Sequence, residues 1–417
     1  MAEHTYTYRI PFGPVHPGLK EPVSFVFELE GERVRSMRFK PGWVHRGIEY
    51  MGMQRNPIQV IYLAERICGI CSVSHALNFC LAVEYALGIT VPPRADYLRV
   101  VVAELERLHS HILWAGVAAH MLGFDSLFYY TWRVREEVMD VLEYLTGNRV
   151  NYGFMTIGGV RRDLTPEGTA KVRENLKHYR ELLDRLKQAF LDDPGIRLRT
   201  RRVGVLTERA AWETGAVGPT KRASGIPADL RQDLPYCAYA DLAVEAVTPA
   251  KLGAETLGDV YDRVLVRLGE VAQSLDILEA CLDNLPSGPV VAEPKLTRLL
   301  NTLKQAGGEA ASALEAPRGE VYHFVRLAEG EENVAVWKVR APTYANLAAL
   351  VPMMEGAQIA DIPIIVASID PCLSCTDRML AVRSTPAGGR EVLTGEELLR
   401  LCAEKTRRVV PCSALYG

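Results

Sequence analysis

The 417-residue chain has no run of 18 or more residues free of charged and polar breaks, and its opening, MAEHTYTYRIPFG, has neither a basic stretch nor an apolar one. A membrane-spanning helix needs about 20 apolar residues, and an export signal needs both of those features. The expectation is a chain that neither crosses a membrane nor carries an ordinary leader. Charge of one sign is also lacking: 48 Lys+Arg against 51 Asp+Glu leave a net charge of −3. Without a basic field there is nothing to hold nucleic acid, which is excluded as an expected partner. There is no internal repeat and no low-complexity tract. Nine cysteines, an odd number, make a poor disulfide framework in so long a chain, so reduced thiols are expected. What is there, 48% apolar and 24% charged residues, is ordinary globular composition. At roughly 100–200 residues per domain it allows two or three domains or one large one.

Phe25, Phe27 and Leu29 alternate with polar neighbours before Gly31, and Val34 to Phe39 resume a β-prone run, which predicts a β-rich start. After Pro92-Pro93 the period lengthens. Leu98, Val101, Val102, Leu105, Leu108 and Ile112 share one stripe until Gly123. Three more amphipathic helices are predicted at about 131–147, from Thr165-Pro166 through Phe190, and at about 255–285. Four long helices suggest a bundle. Between them 195–240 is arginine-rich and broken by Gly and Pro, and 317–345 reads as strand and loop. The end of the chain reads as an appendage, with a turn at Gly388-Gly389 and a short helix near Gly395–Glu404. The predicted class is α+β, predominantly helical: a β-rich region over 1–60, a helical core over 61–378 and a C-terminal extension over 379–417.

Two CxxC pairs carry the chemistry, Cys68-Gly-Ile-Cys71 and Cys372-Leu-Ser-Cys375. Each brings two thiolates within reach of one metal, and together they make a four-sulfur site. Cys71 and Cys372 lie 301 positions apart, far beyond a zinc ribbon's span, so the site would knit the two ends of the fold together. Spacing alone leaves open a closed structural zinc, buried thiols without metal, and a redox metal. The remaining cysteines, Cys80, Cys237, Cys281, Cys402 and Cys412, have no partner spacing and read as packing residues; no iron–sulfur cluster is expected in this chain.

The flanks of the two pairs, with Arg66 and His75 around the first and Asp370, Pro371 and Arg378 around the second, closely resemble the metal-binding motifs of the [NiFe]-hydrogenase large subunit. GPVHPG at 13–18, His45-Arg46-Gly47-Ile48-Glu49 and Ala316-Pro317-Arg318-Gly319-Glu320 extend the likeness. So do ERLHSHILWAG (106–116), REEVMDVLEYLTGNR (135–149) and GDVYDR (258–263), which resemble segments shared by energy-converting hydrogenases and the 49-kDa subunit of respiratory complex I. The complex I subunit does not keep the two cysteine pairs, whereas this chain has all four thiols. The resemblance therefore implies the catalytic subunit of the membrane-bound, energy-converting type and a large-subunit-like fold.

That resemblance also implies roles. Cys68 and Cys372 match terminal nickel ligands, and Cys71 and Cys375 the pair bridging nickel and an iron that carries cyanide and carbon monoxide. Arg318 matches an arginine above the metals and Glu21 the first proton-relay glutamate. Pro317 and Ser368 match positions near the cyanides, and His75 a histidine beside the bridging cysteines. Glu49 matches a magnesium-binding glutamate, but the partner histidine is replaced by Arg378, so a Glu49–Arg378 ion pair competes with a magnesium site. His16 matches a quinone-contacting histidine of the complex I subunit. A maturation endopeptidase is implied at Arg378/Met379. The implied partners are a small subunit with a [4Fe-4S] cluster, membrane subunits of a complex I-like assembly and, indirectly, ferredoxin or a similar carrier. The implied location is cytoplasmic, peripheral on the inner face of the cytoplasmic membrane. Two other readings stand beside this one: a complex I-like coupling or quinone-site subunit without hydrogenase chemistry, and a structural zinc protein.

Overall fold

The computed structural model describes residues 6–376, 382–384 and 390–392, together with 397, 400, 401 and 404. The chain opens with an antiparallel meander of β1 (Thr7–Phe12), β2 (Ser24–Glu30) and β3 (Arg33–Lys40). Alternation does its expected work here: Phe25, Phe27 and Leu29 are buried on one face of β2, as a period of two requires. Two helices follow, α1 (Ile48–Gly52) and α2 (Pro57–Glu65). Asn56 caps α2 by accepting from the Gln59 N–H at 3.0 Å, and Pro57 fits the first turn.

Next comes α3 (Ser72–Leu87), which periodicity did not reveal. Every residue from Ser72 to Glu84 is buried, so this stretch has no solvent-facing side and leaves no amphipathic signature. It lies on a second antiparallel sheet of β6 (Gly308–Ala316), β7 (Gly319–Leu327) and β8 (Val334–Arg340). The sequence had marked most of that sheet as strand and loop. Asn78 pins α3 to it, donating to the Val321 carbonyl at 2.9 Å and accepting from Ser312 Oγ at 2.6 Å.

The four predicted helices are α4 (Pro93–Met121), α5 (Asp125–Thr146), α6 (Pro166–Leu191) and α11 (Val260–Asp283), and they pack together. α6 and α11 begin at side-chain caps, Thr165 and Asp259. α5 starts about six residues earlier than expected, because Phe124 at its N-cap makes no side-chain cap that would mark the start.

The arginine-rich stretch folds into α7 (Pro194–Thr200), α8 (Glu208–Glu213), α9 (Gly218–Arg222) and α10 (Leu230–Asp233). These short helices deliver Arg222 and Arg231 into the core. Arg222 meets Glu270 and Glu315, each at 2.7 Å, and Arg231 meets Asp229 at 2.7 Å and Glu104 at 3.2 Å. Buried charges persist only when paired this closely; deleting one partner typically costs about 3–5 kcal/mol.

A short hairpin of β4 (Met155–Thr156) and β5 (Gly159–Val160) and the helix α12 (Leu296–Gln305) lie between these parts. α13 (Pro342–Met354) and α14 (Ile362–Ser368) lead to a 3-10 turn, Leu373–Thr376, that carries Cys375 and follows directly on Cys372. In the extension, Val382–Ser384 pairs antiparallel with Arg390–Val392, and the four described positions between 395 and 404 are helical. The Gly388-Gly389 turn lies outside the described residues.

Candidate metal centre

Cys68 and Cys71 sit in the connection from α2 to α3, with Cys71 at the α3 N-cap; Cys372 and Cys375 sit in and beside the last 3-10 turn. The fold brings the pairs together. The Sγ atoms of Cys68 and Cys372 are 3.1 Å apart, as are those of Cys372 and Cys375. With Cys68, these three sulfurs lie within 4.8 Å of one another. All four cysteines are buried and free. The N–H groups of Ile70 and Cys71 donate to Cys68 Sγ, each at 3.3 Å. Hydrogen bonding from Cys372 and then from Cys375 and Cys71 holds Cys68 well below the usual thiol range, while Cys71, Cys372 and Cys375 are held well above it, so one thiol of the four favours the thiolate before a cation enters.

Arg46, in the HRGIE segment, fastens the two cysteine loops to each other. Its guanidinium donates to the carbonyls of Arg66 (2.8 Å), Ile67 (2.7 Å) and Ser374 (3.0 Å). Nothing in the sequence assigned it that task, although the segment had been singled out.

Arg318 stands over the cluster at the tip of the β6–β7 hairpin, where only Pro317 and Arg318 join Ala316 to its partner Gly319. Both are buried. The tip is held by close backbone approach: a Cβ on Gly218 would fall 2.3 Å from Gly319 Cα, so glycine is required there. Arg318 Nη1 donates to Cys71 Sγ at 3.0 Å, while Nε and Nη2 bind the carbonyl (2.9 Å) and Oδ1 (3.0 Å) of Asp370. Asp370 has φ 53°, a left-handed turn that aspartate tolerates better than most residues. Its Oδ2 is buried without a hydrogen-bond partner among the described residues.

Glu21 reaches the cluster from the β1–β2 loop. Its carboxylate accepts from the N–H groups of Leu373 and Ser374 and from Ser374 Oγ, directly after Cys372. A cavity of about 410 Å³ opens beside the sulfurs, lined by Glu21, Cys68, Trp114, Phe128, Arg318 and Cys372 among others. The thiol set is therefore open on one side. A closed structural zinc site has no such face, whereas a catalytic metal needs one, and soft thiolates suit nickel and iron. The residues present fit a metal pair of that kind.

His75 lies on the opposite side, its Nε2 3.5 Å from Cys375 Sγ and its Nδ1 3.2 Å from His323 Nε2. Burial pushes His75 down to about 4 and His323 well below the usual histidine range. His323, on β7, carries no motif, and sequence reading missed it. Ser368, the last residue of α14, is buried, donating to the Ile365 carbonyl at 2.7 Å and accepting from Arg263 Nε at 2.9 Å.

Lys338 Nζ lies 3.0 Å from the Glu49 carboxylate, and the Val339 N–H donates to it at 2.8 Å. Arg378 and Met379, and with them the weighed Glu49–Arg378 pair, lie outside the described residues. His16 is exposed, its ring 4.0 Å from Phe12 and its Nδ1 accepting from the Gly18 N–H at 3.0 Å. Of the other cysteines, Cys80 and Cys281 are buried and Cys237 is partly so, as packing residues should be. Cys402 and Cys412 lie outside the described residues.

Comparison with known proteins agrees with this geometry. Residues 46–116 match the family described as nickel-dependent hydrogenase, and residues 122–378 match that described as the 49 Kd subunit of respiratory-chain NADH dehydrogenase. The chain is 47% identical to the membrane-bound hydrogenase subunit alpha of Pyrococcus furiosus, over 99% of this chain and 96% of that one. It is 41% identical to the carbon monoxide-induced hydrogenase of Rhodospirillum rubrum, over 89% of this chain and 99% of the relative. In three dimensions it is similar to a chain of the membrane-bound sulfane sulfur reductase, an archaeal respiratory membrane complex. The TM-score is 0.83 at 31% identity, covering 91% of this chain and all of the other. Among the described residues no helix is long and apolar enough to cross a membrane. With near full-length identity to hydrogenase subunits and all four cysteines gathered under Arg318, the chain belongs to the family of large subunits of membrane-bound, energy-converting [NiFe]-hydrogenases, related to the 49-kDa subunit of respiratory complex I.

Proposed function

We propose that this chain is the catalytic subunit of an energy-converting hydrogenase, oxidising H2 and reducing protons reversibly. The observation that carries the reading is the convergence of four buried thiols from both ends of the chain beside a cavity and beneath one fixed guanidinium. Cys68 and Cys372 would hold nickel, and Cys71 and Cys375 would hold nickel together with an iron that carries cyanide and carbon monoxide. When bound, that pair supplies heterolytic cleavage and formation of H2.

The protein's own groups do the rest. Arg318 presents a fixed cation beside Cys71, in a pocket where water does not screen it, and so stabilises negative charge that develops at the cluster. Glu21 holds a proton at its carboxylate next to Cys372, between the buried thiols and the loop at the surface. Pro317 and Ser368 would line the iron's small ligands. Glu49, already facing Lys338, is not assigned a magnesium ion.

Electrons would pass to a small subunit with a [4Fe-4S] cluster and, through it, to ferredoxin or a similar carrier. The same assembly would couple turnover to ion translocation by membrane subunits, with this chain peripheral on the inner, cytoplasmic face. A dedicated endopeptidase would remove residues 379–417 after metal insertion. The likeness to the 49 Kd family and to the sulfane sulfur reductase chain favours a second reading, a coupling subunit without hydrogenase chemistry; the intact thiol set supports the first. Anaerobic, H2-dependent reduction of a viologen by the purified complex tests the choice. Reduction at catalytic rates is expected, and a nickel-loaded complex that leaves the dye oxidised would select the second reading.

A further inference from the structure

Behind His75 a chain of ring nitrogens runs away from the cluster into the sheet. His75 Nδ1 is 3.2 Å from His323 Nε2, and Trp337 Nε1 is 3.3 Å from His323 Nδ1. All three side chains are buried. An indole N–H can only donate, so His323 Nδ1 must accept. A neutral imidazole that accepts at Nδ1 carries its proton on Nε2. That proton faces His75 Nδ1, which must accept in turn, and so His75 carries its own proton on Nε2, directed at Cys375 Sγ at 3.5 Å. A second proton on either ring would set two donors against each other inside the core. The three groups therefore have one consistent arrangement, with every N–H pointing toward the sulfur.

The far end of this chain cannot swing. The Trp337 indole packs edge-on against Phe79 of α3, with ring centroids 5.5 Å apart at 74°. On the α1 side it meets Gly52, where a Cβ would fall 2.3 Å from the indole. His323 is fixed by the register of β7 on β8, opposite Val339.

We infer that Trp337 and His323 are positioning residues that hold His75 as the tautomer donating to Cys375, and so set how much negative charge that thiolate shares with the metals. The inference rests on the hydrogenase reading and specifies a control within the same site. A neutral N–H donor withdraws charge from a thiolate; its loss returns that charge to the metals. Partners this far from the ligand act through orientation and tautomer, as supporting groups of metal-bound imidazoles do.

The infrared spectrum of iron-bound CO and CN in the purified complex reads this directly. In Trp337→Phe, which removes the N–H but keeps an aromatic ring, the CO band is expected to move to lower wavenumber or to split by more than its own width, with nickel content unchanged. His323→Met is expected to do the same. His323→Gln, whose amide can still donate to His75 Nδ1, is expected to restore the wild-type band. Wild-type band positions in both Trp337→Phe and His323→Met would overturn the inference. If Trp337→Phe loses its metal, the Met and Gln variants at 323 decide alone, and identical bands in those two overturn it. Absence of CO and CN bands from the wild-type complex would instead overturn the hydrogenase reading, and the inference with it.

Discussion

Asp370 grips Arg318 twice, once with its side chain and once with its own carbonyl, at 3.0 and 2.9 Å. The two residues are 52 positions apart in sequence, one at a hairpin tip and one two residues past the end of α14. The double contact fixes the guanidinium plane and leaves Nη1 aimed at Cys71 Sγ. A lysine has one nitrogen and cannot make this set. Arg318→Lys should therefore lower H2-driven viologen reduction about 10²–10³-fold, the usual cost of losing a preorganised electrostatic donor, while nickel content stays level. Activity within a few-fold of wild type would remove Arg318 from the mechanism.

Glu21 is tied to the cysteine loop by two backbone N–H groups and a hydroxyl. A carboxamide keeps an acceptor for them but cannot cycle a proton at neutral pH. Glu21→Gln should therefore retain nickel and lose H/D exchange, by about 10²-fold or more. Unchanged exchange in a nickel-loaded variant would assign the proton to another path.

The extension beyond Arg378 carries its own prediction. Active, nickel-loaded enzyme should contain a chain ending at Arg378, shorter by the 39 residues of 379–417 than the 46.2 kDa full-length species. Intact-mass analysis decides it, and a full-length chain in active enzyme contradicts removal.

Glu65, at the end of α2, titrates in the folded protein. Burial pushes its carboxyl up to about 7. Oε1 accepts from the Gly153 N–H at 2.8 Å, and Oε2 has no hydrogen-bond partner among the described residues. A pKa raised on folding means that the native state holds the proton more tightly, so this contribution is complete below about 4.5 and is lost as pH rises through about 7. Glu65→Gln removes the dependence. Thermal unfolding midpoints of wild type and variant should diverge by about 2–5 °C between about pH 5 and about pH 8, the wild type falling. Parallel profiles would place the Glu65 carboxyl in water.

Much of this site was legible in the sequence because its chemistry is local. Cys68, Cys71, Cys372 and Cys375 stand out by spacing, whereas Arg318 and Glu21 were reached only through the family resemblance of the segments around them. The long helices were legible for the opposite reason, their one-sided burial. What escaped was whatever depends on contact across the fold without a local pattern. Helix α3 is buried on every side from Ser72 to Glu84 and so shows no period. His323 lies 248 positions from His75, and its place on a strand gives no hint that its ring ends beneath the cluster. Arg46 stood in a noted segment, but its role as a clamp between the loops of Ile67 and Ser374, the second 328 positions from Arg46 itself, is a property of the fold alone.

The central claim is that the four thiols hold a nickel–iron pair and not a structural ion. Infrared spectroscopy of the purified, anaerobic complex, with metal analysis on the same sample, tests it most directly. The account predicts about one nickel per chain and absorption bands from iron-bound carbon monoxide and cyanide. Zinc in place of nickel, with no such bands, would contradict it.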